Sequence, residues 1–287
     1  MFNRTLLSAV MLSLTFAVQA RETITVINPS NKASPATVFA KSYEESLRKN
    51  GKYDVEFYQA SSCADADAKY AKTKNAVMVY NADVAIAARD KGVSCEFQAT
   101  SSNTTLITKS YLKFCRKSGS TASFGEGEKS TKVGIASVIL SPGLFNDLNQ
   151  GKRNLVGVPY SGSKTVLAAV MAGDIEYGII GAGVVNEPEK RGEIECVYDY
   201  DPRAKNFIGN TLTNLKVPTL PIIQLIHTNG NLDIRQAAEK AGQDSEFLSS
   251  IEKNGFSDTK NSRISLNDVS SVSKHVDQVY HHYWKTK

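Results

Sequence analysis

Short apolar or alternating segments and longer amphipathic segments follow one another along the chain. The segment 22–28 (ETITVIN) is rich in β-branched residues and the segment 76–80 (AVMVY) is wholly apolar, so both predict strands. The predicted strands of this half are Glu22–Asn28, Tyr53–Gln59 and Ala76–Tyr80, and the predicted helices are Ala36–Lys49, Ala64–Lys72 and Asp83–Lys91. Strands that alternate with helices predict a parallel α/β architecture.

A second set of elements follows the polar stretch Ser118–Thr131, which we interpret as a boundary between two lobes. The later predicted strands are Lys132–Ser137, Asn154–Pro159, Ile175–Ile180 and Ile222–Ile226, and the later predicted helices are Leu232–Ala241, Ser245–Asn254 and Asp268–Trp284. The predicted organisation is a first lobe at 21–117, a second lobe at 118–221, and a return to the first lobe at 222–287. A chain of 287 residues is near the upper size for one core, which favours two lobes with a cleft between them.

The first twenty residues have the features of a secretory signal. Arg4 is their only charge, an apolar run extends from Leu6 to Val18, and Val18-Gln19-Ala20 precedes the charged pair Arg21-Glu22. An apolar run of roughly 13 residues is shorter than the ~20 that a membrane-spanning helix needs, so a cleaved signal is favoured over an anchor. We therefore expect residues 1–20 to be removed on export and the protein to work in the periplasm.

Composition and charge exclude several classes of protein. The formal charge is 34 − 29 = +5, and charges of one sign do not form blocks, which argues against a nucleic-acid surface or a polybasic membrane anchor.

The four cysteines, Cys63, Cys95, Cys115 and Cys196, are even in number, as expected for two disulfides in an exported protein. Three connectivities are open, and sequential pairing is our first choice. The cysteine spacing does not fit a metal site, and the adjacent His281 and His282 are predicted to be solvated tail residues.

Three loops that follow predicted strands are rich in small hydroxyl residues. They are Pro29–Pro35, Ser137–Gly143 and Tyr160–Thr165. In open α/β sheets, ligands bind beyond the carboxyl ends of strands, where the next helix presents free N–H groups and the positive end of its dipole. Ser141 followed by Pro142 is typical of a helix N-cap and first turn, either as a plain cap or as part of an anion site.

Two catalytic motifs are almost matched in the third loop. Ser161–Lys164 fits the S-x-x-K pattern of penicillin-recognising serine enzymes, but the companion motifs are absent. Gly157–Thr165 differs from a nucleotide-binding P-loop because Ser163 separates Gly162 from Lys164. A serine hydrolase that uses Ser161 or Ser163 is therefore a minor alternative.

The stretch Asn154–Ile180 resembles the signature region of the tripartite tricarboxylate transporter solute receptors, also called Bug receptors. The resemblance rests on Val158-Pro159-Tyr160, on Gly162-Ser163 and on the Gly173–Glu176 turn, and it continues in Gly192–Arg203 and Val217–Leu220. It implies an α/β, two-lobed periplasmic-binding-protein fold of type II, with the ligand cleft between the lobes. The first loop lacks the glycines and the aspartate that this family usually has, so the identity of the ligand is not carried over.

The resemblance also implies a function and a set of binding residues. We expect a monomeric receptor, without cofactor or enzymatic activity, that captures a small carboxylate and delivers it to membrane permease subunits. The implied ligand-binding residues are Ser30, Asn31 and Ser34 in the first loop, Ser137, Ser141 and Gly143 in the second, and Tyr160, Ser161, Gly162 and Ser163 in the third. Lys32 and Lys164 are either further cations for the ligand or plain surface lysines. A receptor that serves a sensor or another class of transporter is the alternative within the same fold.

Overall fold

The computed structural model describes residues 21–30, 32, 34–90, 92, 99–125, 129–136, 140–149, 154–208 and 221–283. The described strands are β1 (Thr23–Asn28), β2 (Asp54–Gln59), β3 (Ala76–Asn81), β4 (Thr104–Ser110), β5 (Leu112–Lys117), β6 (Thr131–Ala136), β7 (Leu155–Tyr160), β8 (Tyr177–Gly181), β9 (Ile194–Asp199), β10 (Ile222–Thr228) and β11 (Phe256–Lys260). The described helices are α1 (Pro35–Lys49), α2 (Cys63–Lys72), α3 (Ala82–Asp90), α4 (Leu140–Asn149), α5 (Ser163–Ala172), α6 (Ala182–Lys190), α7 (Leu232–Gly242), α8 (Ser245–Lys253) and α9 (Leu266–Tyr283).

Two separate sheets form the centres of two lobes. The first has six strands in the order β11-β4-β10-β3-β1-β2, and the second has five in the order β7-β6-β8-β5-β9. We call the parts of the chain built on them lobe I and lobe II. The predicted two-lobed α/β fold is therefore confirmed.

Both sheets are mixed, which corrects the expectation of a parallel architecture. The neighbouring strands β1, β2 and β3 are parallel, as are β6, β7 and β8. However, β10 runs antiparallel to β3 and β4, and β5 runs antiparallel to β8 and β9. The sequence pattern does not predict β4, β5, β9 or β11. Antiparallel strands need no intervening helix, so the alternation of strands and helices carries no signal for them.

The direction of β4 decides how the two sheets face each other. β4 runs parallel to β3, because both pair antiparallel with β10, and it continues through Tyr111 into β5 of the other sheet. The first residue of β5, Leu112, lies opposite Gly181 at the end of β8. The carboxyl ends of the parallel strands in both lobes therefore face the region between the lobes. The chain changes sheet at Tyr111, seven residues before Ser118, and β10 returns it to the first sheet at Ile222.

Three clusters of buried apolar side chains hold the layers together. One lies between the lobe I sheet and α1, α7 and α8, and another lies between the lobe II sheet and α5 and α6. The largest contains side chains from both lobes and the inner side of α9, including Val272 and Val279. α9 also reaches lobe II at its C-terminal end, where the His282 ring nitrogen Nε2 lies 3.3 Å from an Asp147 carboxylate oxygen. This long helix therefore packs across both lobes on one side.

One disulfide crosses two adjacent strands of lobe II. Cys115 in β5 is bonded to Cys196 in β9, the residue directly opposite it in the ladder. Cys63 is also disulfide-bonded, whereas Cys95 lies outside the described residues. The Cys115–Cys196 bond agrees with sequential pairing.

Among the described helices, none combines the length and the apolar character that crossing a membrane requires. The predicted signal at 1–20 lies outside the described residues.

His227 in β10 makes the stability of lobe I sensitive to acid. Its Nδ1 lies 3.1 Å from the Tyr70 hydroxyl, and burial lowers the pKa of the ring from 6.5 to about 3. Between pH 6.5 and pH 3, His227 therefore binds a proton in the unfolded chain but not in the folded protein. The free energy of unfolding falls as the pH falls through this range.

We expect His227→Gln to reduce this acid sensitivity, since an amide can still bond the Tyr70 hydroxyl but does not titrate. The measurement is urea unfolding of both proteins at pH 7 and pH 5. The loss of unfolding free energy between these values should be smaller in the variant by about 2 kcal/mol. Equal losses in the two proteins would contradict this account, whatever the stability of the variant at pH 7.

Candidate functional site

An open cleft of about 540 Å³ lies between the lobes. Its walls come from three helix beginnings and from the end of α8. Lobe I contributes Pro35, Val38 and Asn254, and lobe II contributes Ser161, Gly162, Ser163, Lys164, Thr165, Leu167, Gly183 and Val184. Lys164 is the one charged residue among these lining residues, so the described walls carry a positive charge and no acidic group.

The beginning of α5 is the most polar wall of the cleft. Gly162 stands at the N-cap, where its N–H donates to the Thr165 hydroxyl at 3.2 Å and the same hydroxyl donates to the Gly162 carbonyl at 2.7 Å. The first N–H groups of a helix have no partner within the helix, and the helix dipole adds positive potential there. The amides of Ser163 and Lys164 occupy this first turn. An anion in the cleft therefore meets oriented N–H groups at this wall.

Two other helices begin at the same cleft. α1 starts at Pro35, with Ser34 as its N-cap accepting from the Thr37 N–H at 3.3 Å. α6 starts at Ala182, directly after β8, and its Gly183 and Val184 line the cleft. The Ser163 hydroxyl accepts from the Gly181 N–H at 3.2 Å and so joins the beginnings of α5 and α6. Three helix dipoles from both lobes point their positive ends at one space.

Gly183 marks a place where the backbones of the two lobes touch. A Cβ atom built on Gly183 would lie 1.8 Å from the carbonyl oxygen of Asn254, and one built on Gly255 would lie 2.2 Å from the Gly183 nitrogen. Gly255 also has a φ of +78°, which favours glycine. The contact lies beside Tyr111, where the chain passes from β4 to β5. The Ala182 N–H donates to the Tyr111 carbonyl, and Phe256 pairs with Ser110. Any side chain at position 183 would force the lobes apart here.

Five of the predicted binding residues lie in or beside this cleft. Ser161, Gly162 and Ser163 line it directly, and Ser34 caps the helix whose first residue, Pro35, lines it. Tyr160 ends β7 and is half-buried against the α5 side of lobe II. The third loop thus supplies most of the predicted residues that the structure brings together.

The remaining predicted residues are placed differently. Ser30 is buried just after β1, with its N–H bonded to the Asn28 side-chain oxygen at 3.2 Å. Ser141 and Gly143 are buried within α4, which begins at Leu140, so Ser141 is one residue inside the helix and not its N-cap. The residues before Leu140, at 137–139, are not among the described ones, so the N-cap of α4 is not described. Asn31 and Ser137 also lie outside the described residues.

Four residues of the cleft carry no sequence motif that predicts a binding role: Val38, Gly183, Val184 and Asn254. Gly183 lies three residues after the predicted strand Ile175–Ile180, and a glycine in the first turn of the next helix is the one signal that could have indicated a close approach. Asn254 is 71 residues further along the chain, and no local pattern connects it to this helix.

Both serine hydroxyls of the near-matches to catalytic motifs have partners within the protein. The Ser163 hydroxyl is engaged by the Gly181 amide, and the Ser161 hydroxyl lies 3.4 Å from the Thr165 hydroxyl. The lining residues include no histidine, aspartate or glutamate that could act as a general base. Likewise, the described residues hold no cluster of three metal-ligating side chains.

These features define the class of fold: two α/β lobes joined by crossing strands, with a cleft at the facing strand ends. This is the fold of periplasmic binding proteins. The resemblance that the sequence indicated is confirmed at the level of fold by solved structures. No family model matches the sequence, and no significant match is found among curated protein sequences.

The chain is similar along almost its whole length to solute receptors of the expected kind. A TctC solute-binding protein from Polaromonas is 12% identical with a TM-score of 0.62, over 92% of this chain and 98% of that one. The periplasmic binding protein BugD is 10% identical with a TM-score of 0.65, over 92% and 97%. MatC from Rhodopseudomonas palustris, solved with bound malate, is 14% identical with a TM-score of 0.62, over 91% and 99%.

Proposed function

We propose that this protein is a periplasmic solute receptor that captures a small organic anion carrying a carboxylate and delivers it to the permease of a tripartite tricarboxylate-type transporter. The observation that carries the proposal is the cleft into which α1, α5 and α6 point their N-terminal ends, with Lys164 as the charged lining residue. Helix N-termini and a lysine together favour an anion.

A cleft between two lobes also suits reversible capture. When lobes close on a ligand they exclude water, and hydrogen bonds to a charged group are stronger in a site that water does not reach. Tyr111 alone separates β4 of lobe I from β5 of lobe II, and this short connection lets the lobes turn relative to each other. We propose binding without a chemical step, and the bond that the Ser163 hydroxyl accepts from the Gly181 N–H supports this, because that serine already has a partner within the protein.

The comparisons support the ligand class and the location. MatC holds malate, a small dicarboxylate, and the similar structures are binding proteins. We take the predicted signal at 1–20 as the route of export to the periplasm. The permease subunits, a monomeric state and the absence of enzymatic activity belong to the same proposal.

The first test is thermal unfolding of the purified, oxidised protein with mono-, di- and tricarboxylates, aromatic acids, amino acids, phosphate, sugars and metal ions. A ligand at about one hundred times its dissociation constant adds roughly 2.7 kcal/mol of stability, which raises the melting temperature measurably. A shift with one class of carboxylate, recovered unchanged after incubation, is the expected result. A shift only with a sugar or a metal ion, or conversion of the acid to a product, would overturn the proposal.

The second test is Lys164→Gln, measured by isothermal titration with the carboxylate that gives the largest shift. We expect about tenfold weaker binding, because a hydrogen bond to a charged group contributes ~1.5–3 kcal/mol. Lys72→Gln is the matched control. It removes the same charge at the end of α2, which leads to the beginning of β3, whereas the cleft lies at the carboxyl ends of the parallel strands. Equal affinities of the Lys164 and Lys72 variants would contradict a role for Lys164.

A further inference from the structure

Apolar side chains line the cleft from both lobes. Lobe I contributes Pro35 and Val38 of α1, and lobe II contributes Leu167 of α5 and Val184 of α6. The helix N-termini and Lys164 account for a carboxylate in this cleft, but not for these four side chains. A ligand that is polar along its whole length would gain nothing from them, because apolar surface gains free energy only where it covers other apolar surface.

Val38 is the clearest case, because the core of lobe I does not use it. Its neighbours Thr37 and Phe39 are buried in the face that α1 turns to the sheet, whereas Val38 is 40% exposed. A single exposed valine on a protein surface needs no explanation. This valine, however, shares a cleft with apolar residues of the other lobe, and ligand pockets are typically lined by such side chains around a few placed polar groups.

Leu167 and Val184 present apolar surface from fixed positions. Both are half-buried and pack against the apolar cluster between the lobe II sheet and helices α5 and α6. The same two residues also line the cleft, so each is held by the core on one side and offers surface to a ligand on the other. Side chains that are already ordered lose little further entropy when a ligand covers them.

Each of the three residues lies close behind a helix N-terminus. Val38 is the fourth residue of α1, Leu167 the fifth of α5 and Val184 the third of α6. The free N–H groups of each first turn therefore lie next to an apolar side chain on the same helix. A ligand whose carboxylate accepts from these N–H groups places its remaining atoms beside the three side chains. We call Val38, Leu167 and Val184 the apolar contact set.

We propose that the apolar contact set binds the hydrocarbon body of the ligand, so that the substrate class is a monocarboxylate with an apolar body and not a short dicarboxylate. The inference rests on the proposed function, because the helix N-termini and Lys164 hold the carboxylate of the same ligand. Each CH2 group that moves from water into apolar contact increases affinity about fourfold. A second carboxylate at the far end of the body would have to leave water beside apolar side chains, which costs free energy.

The test compares acids of equal length that end in a methyl group or in a second carboxylate. The pairs are butyrate and succinate, hexanoate and adipate, octanoate and suberate, and phenylacetate and 4-carboxyphenylacetate. Isothermal titration of the purified protein should show the monocarboxylate of at least one pair binding at least tenfold more tightly than its partner. Affinity should also rise from acetate to butyrate to hexanoate.

Substitutions at Val38 then assign the preference to the apolar contact set. Val38→Thr keeps the branched shape but replaces a methyl group by a hydroxyl, and should weaken the best-bound monocarboxylate about fivefold while changing its dicarboxylate partner less than twofold. Val38→Lys adds a cation and should reverse the preference within that pair. Val156→Thr is the matched control, because Val156 is 46% exposed on β7 and is not among the cleft residues, and it should bind like the unchanged protein.

The results separate this inference from the proposed function. Dicarboxylates that bind as tightly as their monocarboxylate partners in every pair would overturn the apolar subsite and leave the carboxylate receptor intact. If no acid of either kind binds, both proposals fail. An unchanged ratio of the two affinities in Val38→Thr or in Val38→Lys, including an equal loss of both, would show that Val38 does not contact the ligand body and would also overturn the subsite.

Discussion

Gly183→Ala is expected to lower the stability of the protein and weaken ligand binding, although alanine is the better helix former. In an open helix the substitution would gain about 1 kcal/mol. At this position the new Cβ would lie 1.8 Å from the Asn254 carbonyl oxygen, and a backbone atom cannot turn aside as a flexible side chain does. The beginning of α6 and the turn after α8 must therefore separate by more than an ångström.

We expect a loss of about 2 kcal/mol in unfolding free energy, within the ~1–3 kcal/mol typical of overpacking. The contact lies beside Tyr111, where the chain passes between the lobes, so separating it should open the cleft. We therefore also expect at least tenfold weaker binding and, with the ligand present, a larger radius of gyration in small-angle X-ray scattering. Glu187→Ala, on the exposed side of the same helix, is the control. Increased stability of Gly183→Ala with unchanged affinity would show that the two lobes do not make this contact in solution.

Removal of the Cys115–Cys196 disulfide is expected to cost about 4 kcal/mol. The bond joins residues 81 apart in sequence, and a cross-link that closes a loop of this length removes much of the conformational entropy of the unfolded chain. Both sulfurs are buried between β5 and β9, so the double substitution to alanine avoids placing hydroxyl groups in an apolar cluster.

Urea unfolding of the oxidised protein and of the double alanine variant measures this cost. The slope of free energy against urea should also be larger for the variant, because its unfolded chain is more expanded. Cys115→Ala alone should lose about as much as the pair, since either substitution breaks the bond. A loss below about 1 kcal/mol would mean that strand pairing alone holds β5 and β9 together.

The local pattern of the sequence predicts the parallel strands and the described helices of lobe I well, but it does not delimit α4, α5 and α6 of lobe II. β1, β2, β3 and β6 lie within one or two residues of their predicted bounds, and so do α1, α2 and α3. Each of these elements depends on side chains within one segment: β-branched runs form strands, and amphipathic runs after a polar loop form helices. β4 and β5 were not predicted, because their sequences 104–110 and 112–117 mix polar with apolar residues and are separated by Tyr111 alone.

The candidate site shows the same division. The turn at Ser161–Ser163 was predicted because a Gly/Ser segment between a strand and a helix is a local signal, and it forms one wall of the cleft. The opposite wall, formed by Val38 and Asn254, was not predicted. It forms because the beginning of α1 and the end of α8, which are far apart in the sequence, lie side by side in the fold. No local sequence pattern predicts that contact.

By itself, the sequence determined an α/β chain with a signal-like beginning, two sets of elements, an even number of cysteines and a hydroxyl-rich turn before α5. These properties depend on neighbouring residues and on composition. Only the tertiary structure decided that both sheets are mixed, that the ends of their parallel strands face each other, and that Gly183 touches Asn254. These properties depend on packing between segments far apart in the chain, where backbone direction and close approach, not local preference, determine which groups meet.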